Sequence, residues 1–175
     1  MRRLFILSFL LLSLSQAATA QEIAQDAQVT QAAQGNHKIS DMLSRKFGLA
    51  REKAQTIASA VMSSASKYSL PPALLLAIIS IESRFKETAK GPNNASGLMQ
   101  VVPAAHKSLV RNKDLMDAED NIEVGSAVLH GYIQSAQGDV DAALKNYGGS
   151  CAYAEKVSVH VKTFEPVAKT SADSD

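Results

Sequence analysis

Apolar residues recur along most of this chain at the three- and four-residue intervals of an amphipathic helix. One such run covers residues 39–47, where Gly48 interrupts it, and a second run covers residues 49–68. No segment of useful length alternates between apolar and polar positions as a half-buried strand does. The pattern therefore predicts two helices joined by a turn and an all-α fold class.

The next segment differs from these two because it is apolar on nearly every face. Pro71 and Pro72 precede the letters ALLLAIISIES, and proline is well tolerated in the first turn of a helix, where its missing amide hydrogen does no harm. A helix without a polar face is typical of the centre of a domain. We therefore expect residues 72–82 to form a central helix, around which the others pack, with Glu82 at its C-terminal end.

Helix breakers and capping residues divide the rest of the chain into short elements. The predicted elements are a loop from Lys90 to Gly97, a short helix from Pro103 to Val110, a helix from about Glu119 to Gln137, a helix capped by Asp139 and ended by Gly148 and Gly149, and a last helix from Tyr153 to Glu165 before Pro166.

The N-terminal residues have the pattern of a secretory signal peptide. Two arginines precede an apolar stretch from Leu4 to Leu14, and small residues end at Ala20, where cleavage is expected. The apolar stretch is too short to serve as a stable membrane anchor. We therefore predict a periplasmic or secreted protein divided into a signal peptide (1–20), an Ala- and Gln-rich linker (21–36), a folded domain (37–167) and a polar tail (168–175).

Charge and cysteine content narrow the possible partners. Removal of the signal peptide takes two of the 18 basic residues and leaves 16 against 17 acidic ones, which argues against nucleic acid as a partner. The single cysteine, Cys151, cannot form an internal disulfide and is expected to be free. The four histidines are scattered without the spacing of a metal site, so neither a metal nor a cofactor is predicted.

Glu82 is the first candidate for chemistry. Hydrophobic neighbours and the C-terminal end of a helix dipole both disfavour a carboxylate, so the pKa of Glu82 is expected to be raised. An acid that keeps its proton near neutral pH can protonate a departing glycosidic oxygen. A solvated residue on the outer face of the helix is the simpler alternative.

Four motifs help to decide whether Glu82 is a proton donor or a solvated surface residue. In order along the chain they are IESRF, GLMQVVP, DNIEVG and ALKNYGG. Together they resemble the catalytic domain of soluble lytic transglycosylases, relatives of goose-type lysozyme that cut the bacterial cell wall. The likeness covers roughly residues 65–164. It implies a lysozyme-like helical domain in which the central apolar helix carries the catalytic glutamate.

The resemblance assigns roles residue by residue. It makes Glu82 the catalytic acid and Asn121, Ile122 and Asn146 structural support near the site. The implied substrate-binding residues are Ser83, Ser96, Gly97, Leu98, Met99, Gln100 and Tyr147. Packing in the core would explain Leu98 and Met99 equally well, and a helix cap would explain Asn121.

The match is imperfect after Tyr147, whose hydroxyl the resemblance places near the catalytic acid. The family string is Tyr-Asn-x-Gly, whereas this chain has Tyr147-Gly148-Gly149-Ser150. Either Gly148 replaces the family asparagine, or Asn146 substitutes for it through a local shift.

The resemblance implies cleavage of the β-1,4 bond between N-acetylmuramic acid and N-acetylglucosamine in peptidoglycan, with formation of 1,6-anhydro-muramic ends. A goose-type muramidase that hydrolyses the bond, or a noncatalytic peptidoglycan-binding module of a secretion apparatus, are the alternatives. The size of the domain favours local clearance of the wall for an envelope-spanning secretion or conjugation machine.

Overall fold

The computed structural model describes residues 33–168, and within this range regular structure is helical. The helices are α1 (33–47), α2 (Arg51–Tyr68), α3 (Pro72–Glu82), α4 (Ala118–Ser135), α5 (Val140–Gly148) and α6 (Cys151–Ala168), with a 3-10 turn at Pro92–Asn94. Two isolated bridges, Lys90–Ser96 and Ser96–Val101, are the extended pairings among the described residues. The all-α fold class is confirmed. The predicted signal peptide and most of the linker and tail lie outside the described residues.

The central helix α3 is confirmed. All eight residues from Ala73 to Ser80 are buried, as expected for a segment that is apolar on every side. Pro71 and Pro72 begin it, with Leu74 donating its amide hydrogen to the carbonyl of Pro71. Helices α2 and α6 pack directly against α3. Glu82 is therefore carried out of the core at the end of a rigid element.

Two predicted elements differ in the structure. Residues 103–110 form successive turns rather than a helix, because most of their backbone hydrogen bonds join residues three apart, such as His106 to Pro103 and Leu109 to His106. The last helix begins at Cys151 and contains Pro166, which we expected to lie beyond its end. Pro166 lies in the last turn of this helix, so the gap that its missing amide hydrogen makes in the hydrogen-bond ladder falls at the end of the helix and not in its middle.

The start of α4 holds a polar network that fixes the preceding loop. Asp117 caps the helix by accepting hydrogen bonds from the amides of Glu119 and Asp120, each 3.0 Å long. Lys113 forms ion pairs with Asp120 at 2.8 Å and with Glu123 at 2.7 Å. The contacts with Lys113 lower the pKa values of Asp120 and Glu123, so these two acids are ionised at neutral pH.

Candidate active site

Glu82 is the last residue of α3, and its side chain is only partly buried. Ser83 caps the helix, because its amide and its hydroxyl both donate to the carbonyl of Ile79 at 3.1 Å. Arg84 and Phe85 then adopt left-handed backbone conformations, with φ of 52° and 61°. Such angles are uncommon outside glycine, so the chain turns sharply away directly after the acid.

The carboxyl group of Glu82 accepts a 2.6 Å hydrogen bond at Oε1 from the hydroxyl of Tyr153, in the first turn of α6. Burial raises the pKa of Glu82 above its ordinary value of 4.5, while the Tyr153 hydrogen bond and the charge of Lys156 act in the opposite direction. Burial also raises the pKa of Tyr153, so its hydroxyl remains a donor. The site thus contains a carboxylic acid whose proton is retained to higher pH than in solution.

The resemblance implies that the hydroxyl of Tyr147 approaches the acid. Burial and then the charge of Glu82 raise the pKa of Tyr147, but no hydrogen bond joins these two side chains in the described residues. The hydroxyl of Tyr147 donates instead to the backbone carbonyl of Met99 at 2.9 Å. The ring of Tyr147 stacks on that of Tyr153, with centroids 6.4 Å apart and planes 21° from parallel. Tyr147 therefore packs against Tyr153, which is the hydrogen-bond partner of Glu82. Its hydroxyl also holds the loop that contains Met99.

Gly148 explains how Tyr153 reaches Glu82. A Cβ atom built on Gly148 would lie 2.1 Å from the ring of Tyr153, so the ring occupies the space that any side chain would need. Asn146, the other candidate for the family asparagine, is exposed and makes no side-chain hydrogen bond among the described residues. The departure from the family string at Gly148 is thus coupled to the position of Tyr153.

Asn121 holds the loop that precedes Gln100, and it is completely buried. Its Oδ1 accepts from the amide of Met99 at 2.7 Å, and its Nδ2 donates to the carbonyls of Ser96 and Leu115 at 2.8 and 2.9 Å. Gly97, with φ of 77°, lies so close that a Cβ there would be 2.1 Å from Nδ2. The side-chain amide of Asn121 therefore uses its oxygen and both of its N–H groups to hold the backbone of these segments against α4.

The other predicted residues of this loop face different ways. Leu98 and Met99 are fully buried, as is Ile122, so their side chains belong to the core and present no surface to a ligand. Ser96 is buried and donates to the carbonyl of Asn94 at 2.9 Å. Gln100 is partly buried, and its amide nitrogen donates to the carbonyls of Gly97 and Ala89.

A small cavity of about 60 Å³ adjoins Tyr147. Its walls are formed by Gln100, Val101, Val102, His106, Val128, Tyr132 and Tyr147. Burial lowers the pKa of His106, which keeps the imidazole neutral at neutral pH. His106 makes an edge-on contact with Tyr132, and Tyr132 makes one with Tyr147, each with ring centroids 6.4 Å apart. Because Tyr147 stacks on Tyr153, this row of rings extends from the cavity to the residue that hydrogen-bonds Glu82.

Tyr153 was missed as a partner of Glu82 because the two are 71 residues apart and belong to different helices. The available signal was its position in the first turn of the helix that packs on α3, one turn after the Gly-rich end of α5. Three other acids of the described residues are held in ion pairs. Glu87 pairs with Lys53 at 2.7 Å, and Asp120 and Glu123 pair with Lys113.

The fold and the site define an all-helical domain with one proton-retaining carboxylic acid at the end of its central helix. The profile of the transglycosylase SLT domain family matches residues 59–161, which is more than half of the 175 residues. The chain therefore belongs to the transglycosylase SLT domain family, and the resemblance seen in its motifs is confirmed.

Curated relatives agree with this assignment. The membrane-bound lytic murein transglycosylases C of Yersinia pestis (strain Pestoides F) and Yersinia pseudotuberculosis (serotype O:1b, strain IP 31758) are each 35% identical to this chain over 106 residues. The match covers 51% of this chain and 30% of each relative, so the chain spans about a third of their length. Between residues 33 and 168, no helix has the length and apolar character needed to cross a membrane.

Proposed function

We propose that this protein is an exported lytic transglycosylase that cleaves peptidoglycan, with Glu82 as its catalytic residue. The observation that carries the proposal is the pairing of Glu82 with Tyr153. The hydroxyl of Tyr153 holds Oε1 of this partly buried acid at 2.6 Å, and no group among residues 33–168 forms a hydrogen bond with Oε2. Family membership and the murein transglycosylase names of the relatives support the same substrate class.

The chemistry begins with proton transfer from Glu82 to the oxygen of the glycosidic bond, and the C1–O bond breaks as the oxygen leaves as a hydroxyl. The acetamido group of the muramic acid supports the electron-poor C1 centre. The ionised Glu82 then removes the proton of the C6 hydroxyl, and O6 attacks C1 to close a 1,6-anhydro ring. One carboxyl group serves as acid and then as base, so the second acid used by most glycosidases is not required.

Export is the finer part of this proposal. Peptidoglycan lies outside the cytoplasmic membrane, and the basic, apolar and small residues that end at Ala20 are the pattern of a signal peptide. We therefore infer cleavage near Ala20 and action in the periplasm or outside the cell. N-terminal sequencing of the protein recovered from the periplasm tests this point, and an intact N-terminus would contradict it.

Mass spectrometry of the fragments released from purified peptidoglycan tests the reaction. We expect anhydro-muramic ends from the wild type, none from Glu82→Gln, and wild-type amounts from Glu119→Gln, an exposed acid in the first turn of α4. Reducing ends instead of anhydro ends would identify a hydrolase. Wall binding without fragments from any variant would identify a noncatalytic module.

A further inference from the structure

The turn that follows Glu82, residues 83–87, has a backbone conformation that it cannot hold by itself. Arg84 and Phe85 are consecutive residues with φ of 52° and 61°. Neither is glycine, and left-handed conformations in other residues persist only where the surrounding structure enforces them. Any relaxation of this turn would be transmitted to Glu82, which directly precedes it.

The side chain of Phe85 is one of two attachments of this turn. It is 2% exposed and lies against Phe47 of α1, with ring centroids 4.6 Å apart, and against Phe164 of α6 at 6.2 Å. Phe47 and Phe164 also stack on each other, 5.9 Å apart and 13° from parallel. The three rings form one cluster, so Phe85 cannot rotate out of it without losing both partners.

The second attachment is an ion pair at the other end of the turn. Glu87 accepts from the ammonium group of Lys53, in the first turn of α2, at 2.7 Å. Both groups are partly exposed, so this contact is weaker than the burial of Phe85. It nevertheless acts on the same segment from the same N-terminal part of the fold.

The side chains that make these contacts share one property: Phe47, Lys53 and Phe164 all lie outside residues 59–161, the region matched by the family profile. From the geometry we infer that Phe47, assisted by Lys53 and Phe164, is a positioning residue for Glu82. It acts by keeping the turn at residues 83–87 in its left-handed conformation. The inference rests on the proposed function for its catalytic consequence, while the attachment itself can be measured without activity.

The test compares Phe47→Ala, Phe47→Leu and Lys53→Met in the whole chain. Two variants serve as matched controls. Val140→Ala truncates an apolar side chain that is 40% exposed, close to the 38% of Phe47, and Arg45→Met breaks the surface ion pair with Asp41 within α1. Each protein is assayed with peptidoglycan well below its unfolding temperature, and its amide hydrogen exchange is followed by mass spectrometry.

We expect Phe47→Ala to lower kcat about tenfold and to leave KM within about twofold, because a small misplacement of an acid acts on the rate more than on binding. Phe47→Leu should recover most of the rate, and Lys53→Met should lose less than Phe47→Ala. Amides of the turn, such as that of Lys86, which donates to Ser83, should exchange faster in Phe47→Ala while those of α4 remain as in the wild type.

The outcomes separate the two proposals. Rates and exchange equal to those of Val140→Ala, faster exchange throughout the protein, or faster exchange of the turn with an unchanged kcat would each overturn the positioning role. Faster exchange confined to the turn in a protein whose wild type releases no fragments would leave the attachment standing and overturn the proposed function.

Discussion

Tyr153 donates a 2.6 Å hydrogen bond to Glu82, and this contact joins the first turn of α6 to the last turn of α3. It has two effects that can be separated by experiment. It fixes the direction of the carboxyl group, and it lowers a pKa that burial has raised.

Tyr153→Phe removes the hydroxyl but keeps the ring. The pKa of Glu82 should rise further, because the hydrogen bond that favoured its ionised form is lost. The descending limb of the pH profile of kcat/KM, which reports the general acid, should therefore move to higher pH, and kcat should fall severalfold as orientation is lost. Tyr147→Phe is the control, since its hydroxyl bonds to Met99. A limb that stays in place in Tyr153→Phe would contradict the assignment.

Glu82→Gln should change stability in a pH-dependent way. A group whose pKa is raised by folding contributes stability below its unfolded value, here 4.5, and loses it as the pH rises through the folded value. Glutamine keeps an acceptor for Tyr153 and has no charge to bury. Urea unfolding should show the variant to be more stable than the wild type at pH 7, with a smaller difference at about pH 4. An equal difference at both pH values would mean that the acid is not perturbed.

Gly148→Ala should displace Tyr153, because the added Cβ would lie 2.1 Å from its ring. We expect a loss of about 1–3 kcal/mol in the free energy of unfolding, as for overpacking elsewhere, together with reduced activity. Gly131→Ala is the control, since nothing lies within 4 Å of its Cβ position and alanine favours a helix. If both variants behave alike, the ring of Tyr153 does not depend on Gly148.

Asn121→Ala should be strongly destabilising. The change leaves the amide of Met99 and the carbonyls of Ser96 and Leu115 buried without their partner. Each unpaired buried group costs about 1–3 kcal/mol, so we expect a loss of about 3 kcal/mol or more in urea unfolding. Asn146→Ala removes an exposed amide and should change stability by no more than about 0.5 kcal/mol. A loss that small in Asn121→Ala would show that water replaces the amide.

Local patterns were sufficient to predict the central helix and the acid at its end. A run of apolar residues on every face can only be accommodated in a core, and two prolines mark where it begins. The predicted helix cap at Asp139 is also confirmed, since its side chain accepts a 3.0 Å hydrogen bond from the amide of Ala142. The two residues belong to the same turn of the chain, so the cap could be predicted from the local sequence. Such features depend on neighbours in the sequence.

Contacts between helices were not predictable in this way. Tyr153 meets Glu82 through the packing of α6 on α3, and nothing in the residues around Tyr153 specifies that partner. The same limit applies to Met99, whose burial makes it a core residue although its motif resembles a binding stretch. The turns at residues 103–110 were mistaken for a helix because a proline that begins a helix and one that begins a turn share the same φ.

The aromatic cluster of Phe47, Phe85 and Phe164 has a practical consequence for recombinant work. A fragment trimmed to residues 59–161, the limits of the family match, would contain Phe85 but neither of its ring partners. Such a fragment would retain every motif residue and still leave a hydrophobic ring exposed beside the acid. Inactivity or aggregation of that fragment would reflect where the gene was cut, and it would say nothing about the capacity of the longer chain.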